Sequence, residues 1–103
     1  MGAIIYGAVA RLPMDDRTLA HAHVVIGEKL RRRESFFLSW TDSKIGGGRH
    51  SIWISSAVPL HFDYSTTKIH KINPRWLRLL MLSADSAHGM WIVDEPAASI
   101  ADG

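Results

Sequence analysis

Apolar positions along this chain recur with two periods, and those periods divide it into elements. Residues 3–6 and 9–14 predict two short strands with a turn at Gly7, and Pro13 demotes the end of the second to an edge or an exit. Asp15 or Asp16 then caps a helix predicted to run to about Arg32, because a carboxylate there accepts from the free amides of the first turn. On that helix Leu19, Ala22, His23, Ile26 and Leu30 share one face, and Arg17, His21, Glu28 and Arg32 share the opposite one. This places His23 in the core as a hydrogen-bonded histidine. Gly27 costs about 1 kcal/mol against alanine inside a helix, so a close-packed neighbour is expected there.

Strand alternation returns at residues 35–41, with Phe36, Leu38 and Trp40 on one face and Phe37, Ser39 and Thr41 on the other. Residues 41–50 (TDSKIGGGRH) read as a flexible hairpin loop. Residues 50–55 come back as a strand, with Ile52 and Ile54 opposed to Ser51, Trp53 and Ser55. Leu60, Phe62 and Tyr64 alternate with His61, Asp63 and Ser65 in a further strand. Asn73-Pro74 predicts a capped second helix over 74–84, whose apolar arc (Trp76, Leu77, Leu79, Leu80, Met81, Ala84) is wider than one core face. Such an arc implies deep burial or a partner surface. A last strand covers 90–93, and from Glu95-Pro96 a tail of small residues is expected to fray.

The order ββαβββαβ defines an α+β domain over residues 1–96, followed by a flexible tail at 97–103. The expected architecture is a mostly antiparallel sheet of five to six strands with two helices on one face. Its other face would then carry Phe37, Ser39, Thr41, Ser51, Trp53, His61 and Asp63. A polar sheet face with large aromatics suits base stacking by single-stranded nucleic acid, or the pairing of two sheets.

Composition narrows the class. The chain has 103 residues, 47% of them hydrophobic and 21% charged, which matches a soluble globular domain. No apolar run approaches the roughly 20 residues of a membrane-spanning helix, and the start lacks the basic segment of a secretion signal. With no cysteine, disulfides, thiol catalysis and thiolate zinc sites are excluded. The formal net charge is only +2, but the cations cluster: Arg31, Arg32 and Arg33 run together, and Lys68, Lys71, Arg75 and Arg78 form a second group. Such clusters either contact phosphates or simply solvate a helix end and face.

The chemical motifs fail one by one. Gly46-Gly47-Gly48-Arg49 precedes a strand, whereas a phosphate loop follows one and opens a helix. His21 and His23 diverge on a helix, His50 and His61 have opposite parity on strands read as neighbours, and no histidine pair has zinc spacing. His61 and Asp63 share a face with several serines, but two positions along a strand are about 7 Å apart, too far for a direct orienting hydrogen bond.

The stretches DDRTLAHAHVVIGEKLRRRESFFLSW, GGGRHSIWI, VPLHFDYS and INPRWLRLLMLSA, with a final EP, resemble a family of small actinobacterial proteins of unknown function. Many of these carry the automatic label "ATP-dependent DNA ligase". The resemblance covers about residues 1–96 and departs from the family pattern at Arg33, where glycine is common, and at Ala22-His23, where Leu-Gln is common. It implies an actinobacterial, cytoplasmic protein. The ligase label fails on the residues, since Lys29, Lys44, Lys68 and Lys71 all lack the Lys-x-Asp-Gly context of a nucleotidyl-accepting lysine.

The functional expectation is a small non-catalytic binding or interaction module without metal or cofactor, working as a homodimer or an accessory subunit. The alternative is a nucleic-acid-binding accessory protein associated with a DNA ligase. Candidate contact residues are Phe37, Trp53, Arg49 and His61, with the clusters Arg31, Arg32, Arg33, Arg75 and Arg78.

Overall fold

The computed structural model describes residues 1–41 and 47–97. Its elements are β1 (Gly2–Tyr6), β2 (Ala10–Met14), α1 (Asp16–Arg31), β3 (Phe36–Thr41), β4 (Arg49–Ile54), β5 (Leu60–Asp63), α2 (Pro74–Ala84) and β6 (Met90–Trp91). The α+β class and the ββαβββαβ order are those read from the sequence. Residues 42–46 of the expected hairpin loop and 98–103 of the expected tail lie outside the described residues.

Both helices end where local chemistry stops them. Asp15 caps α1, its side chain accepting from the Thr18 amide at 2.7 Å. At the far end the Arg33 N–H bonds the Leu30 carbonyl and the Glu34 N–H bonds the Lys29 carbonyl, both at 2.9 Å. These two bonds form a Schellman closure, which requires a left-handed residue, and Arg33 takes that place with φ 61°. In α2 the Asn73 side chain accepts from the amides of Arg75 and Trp76 at 3.1 and 3.4 Å, with Pro74 in the first turn.

The strands divide into two three-stranded sheets, β2-β1-β5 and β4-β3-β6. All pairings are antiparallel except β3 with β6. Strand β5 leaves β4 and joins the free edge of β1, with Tyr6 opposite Leu60 and Ala3 opposite Asp63. The crossing is tied down by the Gly7 amide, which donates to the Pro59 carbonyl at 2.8 Å, and by the Tyr6 hydroxyl, which accepts from the Ser55 amide at 3.0 Å. Gly89 makes the parallel pairing possible. Its φ is +86°, and a Cβ there would meet the Phe37 carbonyl at 2.5 Å.

Helix α1 packs on β1, α2 packs on β3 and β6, and the helices pack against each other. One core runs through the interfaces, with Ile4, Leu12, Leu19, Ile26, Leu38, Ile54, Leu80 and Met90 fully buried. Each such side chain stabilises the fold by about 1.5–3 kcal/mol.

Because α1 is covered on two sides, its buried arc is wider than one stripe, and this corrects the histidine assignment. His21 is fully buried, and His23 lies at the surface with its ring stacked 4.1 Å from Phe62. His21, Val25 and Lys29 form an i, i+4 row within the buried arc, and its two polar members reach α2. His21 bonds the amide of Asn73, and Lys29 bonds Asp85. Like therefore meets like along the helix pair: the N-terminal half of α1 lies by the N-cap of α2, and the two C-terminal ends adjoin. The expectation of a close neighbour at Gly27 is also corrected, since a Cβ there would meet nothing within 4 Å.

Glu95 and Pro96, read as the start of a frayed tail, are bound instead. Arg17 pairs with Glu95 at 2.6 Å, the Asn73 amide group donates to Glu95 and to the Pro96 carbonyl, and the Trp76 indole donates to the Val93 carbonyl at 2.9 Å.

Candidate interaction surface

The face of the β4-β3-β6 sheet turned from the core is set by register. Across β3 and β4, Phe37 pairs with Trp53, Ser39 with Ser51 and Thr41 with Arg49. Strand parity puts all six on one face. Phe36, Leu38 and Ile54 point the other way and are buried. Trp91 matches Ser39 in the parallel pairing, so it joins the outer face from the other edge. The Ser39 hydroxyl donates to that of Ser51 at 3.0 Å at the centre of the face, Ser39 being buried and Ser51 exposed.

Phe37 and Trp53 meet edge to face, ring centres 4.9 Å apart, yet remain 44% and 52% exposed. The edge-to-face contact suits the ring quadrupoles and holds both side chains in place. No tail or loop among the described residues covers them. Beside them lies a groove of about 460 Å³, whose floor chemistry comes from the helix ends. Lys29, almost fully buried, bonds Glu34 at 3.0 Å and also Asp85. The hydrogen bond to Asp85 holds the ammonium above the usual lysine range against the burial that opposes its charge, and Glu34 adds to the effect. Among the described lining residues Lys29 is the one cation, and Glu34 and Asp85 are the two carboxylates. The groove is therefore formally negative by one charge.

The other sequence candidates do not gather here. His61 lies on β5 opposite Ile5, in the other sheet, so its expected place beside Phe37 and Trp53 is corrected. The same division removes His61 and Asp63 from Ser39 and Ser51, and it separates His50 from His61; His50 stacks on Trp40 at 5.0 Å. Arg31, Arg32 and Arg33 close α1, and Arg31 is held by Glu28. Arg75 and Arg78 belong to α2, where the Arg75 guanidinium donates to the Ala97 carbonyl at 3.3 Å. Arg49 alone of the arginines shares the outer sheet face, and four strand positions put it about 13 Å from Trp53.

Glu34, Asp85 and Trp91 are the site residues that periodicity does not reveal. Their places depend on a helix closure, a helix–helix contact and a parallel strand pairing, none of which is local. Among the described residues no three His, Asp or Glu side chains are placed to hold a metal ion, and no helix is long and apolar enough to cross a membrane.

Fold and surface together define a small α+β domain made of two helix-backed three-stranded sheets, one of them carrying an exposed aromatic pair. A family profile described as a domain of unknown function (DUF7882) matches residues 1–95, and the chain belongs to that family. Neither a curated protein nor a solved structure matches it.

Proposed function

We propose that the chain is a non-catalytic interaction module that pairs with a second copy of itself through the outer face of the β4-β3-β6 sheet. The observation that carries this reading is the exposure of Phe37 and Trp53, two large rings locked together at 4.9 Å on an otherwise hydrogen-bonded sheet. Aromatic rings in such a place are frequent anchors of interfaces. The face is also self-complementary. Its aromatic end adjoins Glu34 and Asp85, and its other end bears Arg49. A two-fold axis through Ser39 and Ser51 sets each Arg49 over the aromatic, acidic end of its mate. There it gains a cation–π contact and a carboxylate.

Light scattering tests the pairing. The expected mass is twice 11.5 kDa, and Trp53→Ala or Arg49→Glu should return it to 11.5 kDa. A parent protein that stays at 11.5 kDa up to roughly 1 mM refutes it.

The rival reading places single-stranded nucleic acid on the same rings. Arg49 favours it, but Glu34 and Asp85 repel phosphates at the aromatic end. Tryptophan fluorescence with oligonucleotides at two salt concentrations separates the two. A saturable, salt-sensitive change that Trp53→Ala weakens by about 1–3 kcal/mol would replace the pairing model.

A further inference from the structure

The connection from β5 to α2, residues 64–73, exceeds the usual span of about 4–6 residues. Three side chains of α1 hold it. Asp16 accepts from the amide and hydroxyl of Ser65 at 3.1 and 2.9 Å, and from those of Thr66 at 3.1 and 3.2 Å. Arg17 donates to the Lys71 carbonyl at 2.9 Å, and His21 accepts the Asn73 N–H at 2.8 Å. Anchored at 65–66, 71 and 73, the segment stands as a preformed wall rather than a loose loop.

Between this wall and α1 lies a groove of about 440 Å³, which shares no lining residue with the one beside Trp53. The volume falls within the roughly 300–1,000 Å³ of small-molecule sites. Ala20, Ile69 and Ile72 supply apolar lining, with the rings of His23 and Tyr64. The His23 ring is fixed, stacked on Phe62 and bonded through Nδ1 to the Tyr64 hydroxyl at 2.9 Å. The remaining lining is one-sided in charge. Lys68 is a cation, His70 brings an imidazole that can hydrogen-bond an anion, and no Asp or Glu is among the described lining residues. The Asp16 carboxylate, one turn before Ala20 on α1, lies outside the lining and turns both oxygens to the amides and hydroxyls of Ser65 and Thr66. It keeps its charge, which acts on Tyr64 at that end, so the anion is expected at the Lys68 end. Ile69 stands 94% exposed at the lip, an apolar side chain that no described residue covers.

We propose that this groove binds a small amphipathic anion, a monocarboxylate with an aromatic or medium-chain aliphatic body. The body lies along Ile69, Ile72 and the His23 and Tyr64 rings, and the carboxylate meets Lys68 and His70. Charge complementarity selects this occupant over a neutral or cationic one.

The test is an amide-resolved NMR titration of the intact chain with octanoate, phenylacetate and octanol. Saturable shifts confined to Ala20, His23 and residues 66–72 with either carboxylate, and octanol binding about tenfold or more weakly, support the proposal. Lys68→Ala should weaken octanoate binding by about two- to fivefold. Ile69→Glu, at an exposed position that leaves the core untouched, should abolish it. Trp53→Ala should leave it unchanged, which keeps this site distinct from the paired sheet face. No saturable shift up to about 10 mM overturns the proposal, as does equal binding of octanol and octanoate. Concentration-dependent shifts at the same amides without ligand also overturn it, by assigning the groove to a second copy.

Discussion

Arg33 carries a conformational cost that glycine would remove. Its φ of 61° costs an L-residue about 1–2 kcal/mol, against which glycine loses about 0.4–1 kcal/mol of unfolded-chain entropy. Arg33→Gly should therefore raise stability by about 0.5–1 kcal/mol, read as a shifted urea midpoint at unchanged m. Gly27 offers the same gain from the opposite direction. It is a helix-interior glycine with open space around it, so Gly27→Ala should add about 0.8–1 kcal/mol and raise the melting temperature by roughly 4–8 °C. A loss of stability there would mean that a neighbour packs on that surface after all. Asp15 and Asp16 show how far adjacent identical residues can diverge. The first caps α1, and the second, from the same helix start, clamps Ser65 and Thr66.

The strongest element-scale device is the join of α1 to the start of α2. The His21 Nδ1–H donates to the Arg17 carbonyl at 2.8 Å, since a carbonyl can only accept, and Nε2 accepts from the Asn73 N–H, since an amide can only donate. Asn73 in turn caps α2 and holds Glu95 and Pro96. His21→Phe keeps the ring against Trp76, whose centre lies 4.4 Å away, but leaves the Asn73 amide unpaired in the core. The expected loss is about 1–3 kcal/mol in chemical unfolding with helix content retained. His23→Phe, at the surface, should cost much less. A reversed order of the two would restore the sequence-based assignment of His23 to the core.

At the scale of the molecule, acid should loosen the strapped ends before it opens the core. Glu95 is drawn down from 4.5 to about 2, first by the Arg17 hydrogen bond and then by Asn73. Asp16 is also lowered, chiefly by the Ser65 amide. A carboxyl depressed in the folded state binds fewer protons than in the unfolded one, so its contribution is complete above about pH 4.5 and is lost as pH falls toward 2. Glu95→Gln should therefore flatten the melting-temperature profile over that interval while leaving the Asp16 share. An unchanged slope would show that the strap adds nothing to global stability. Pairing through the outer sheet would stabilise the folded chain further by mass action, so melting temperature should rise with protein concentration in the parent but not in Trp53→Ala.

The amino-acid sequence makes legible whatever short range decides. Asn73-Pro74, the alternation through Phe36–Thr41 and 50–55, and the 3.6 period of α1 are local signals, because backbone geometry ties side-chain direction to neighbours a few positions away. Parity within each strand, with both apolar faces turned to the core, therefore places Phe37 and Trp53 on one face. The partition into two sheets is not legible, since which strand β5 joins is a choice between distant segments; it pairs with β1, and the Gly7–Pro59 bond ties down the crossing. His61 leaves the candidate surface for that reason. His21 enters the core because a helix packed against both a sheet and a second helix buries a wider arc than one periodic stripe can announce. Glu34, Asp85 and Trp91 reach the aromatic pair through contacts between elements, and the α1–loop groove exists only because Asp16, Arg17 and His21 reach across to a distant segment. Local chemistry sets the elements and their faces, and burial shared between elements sets which faces meet.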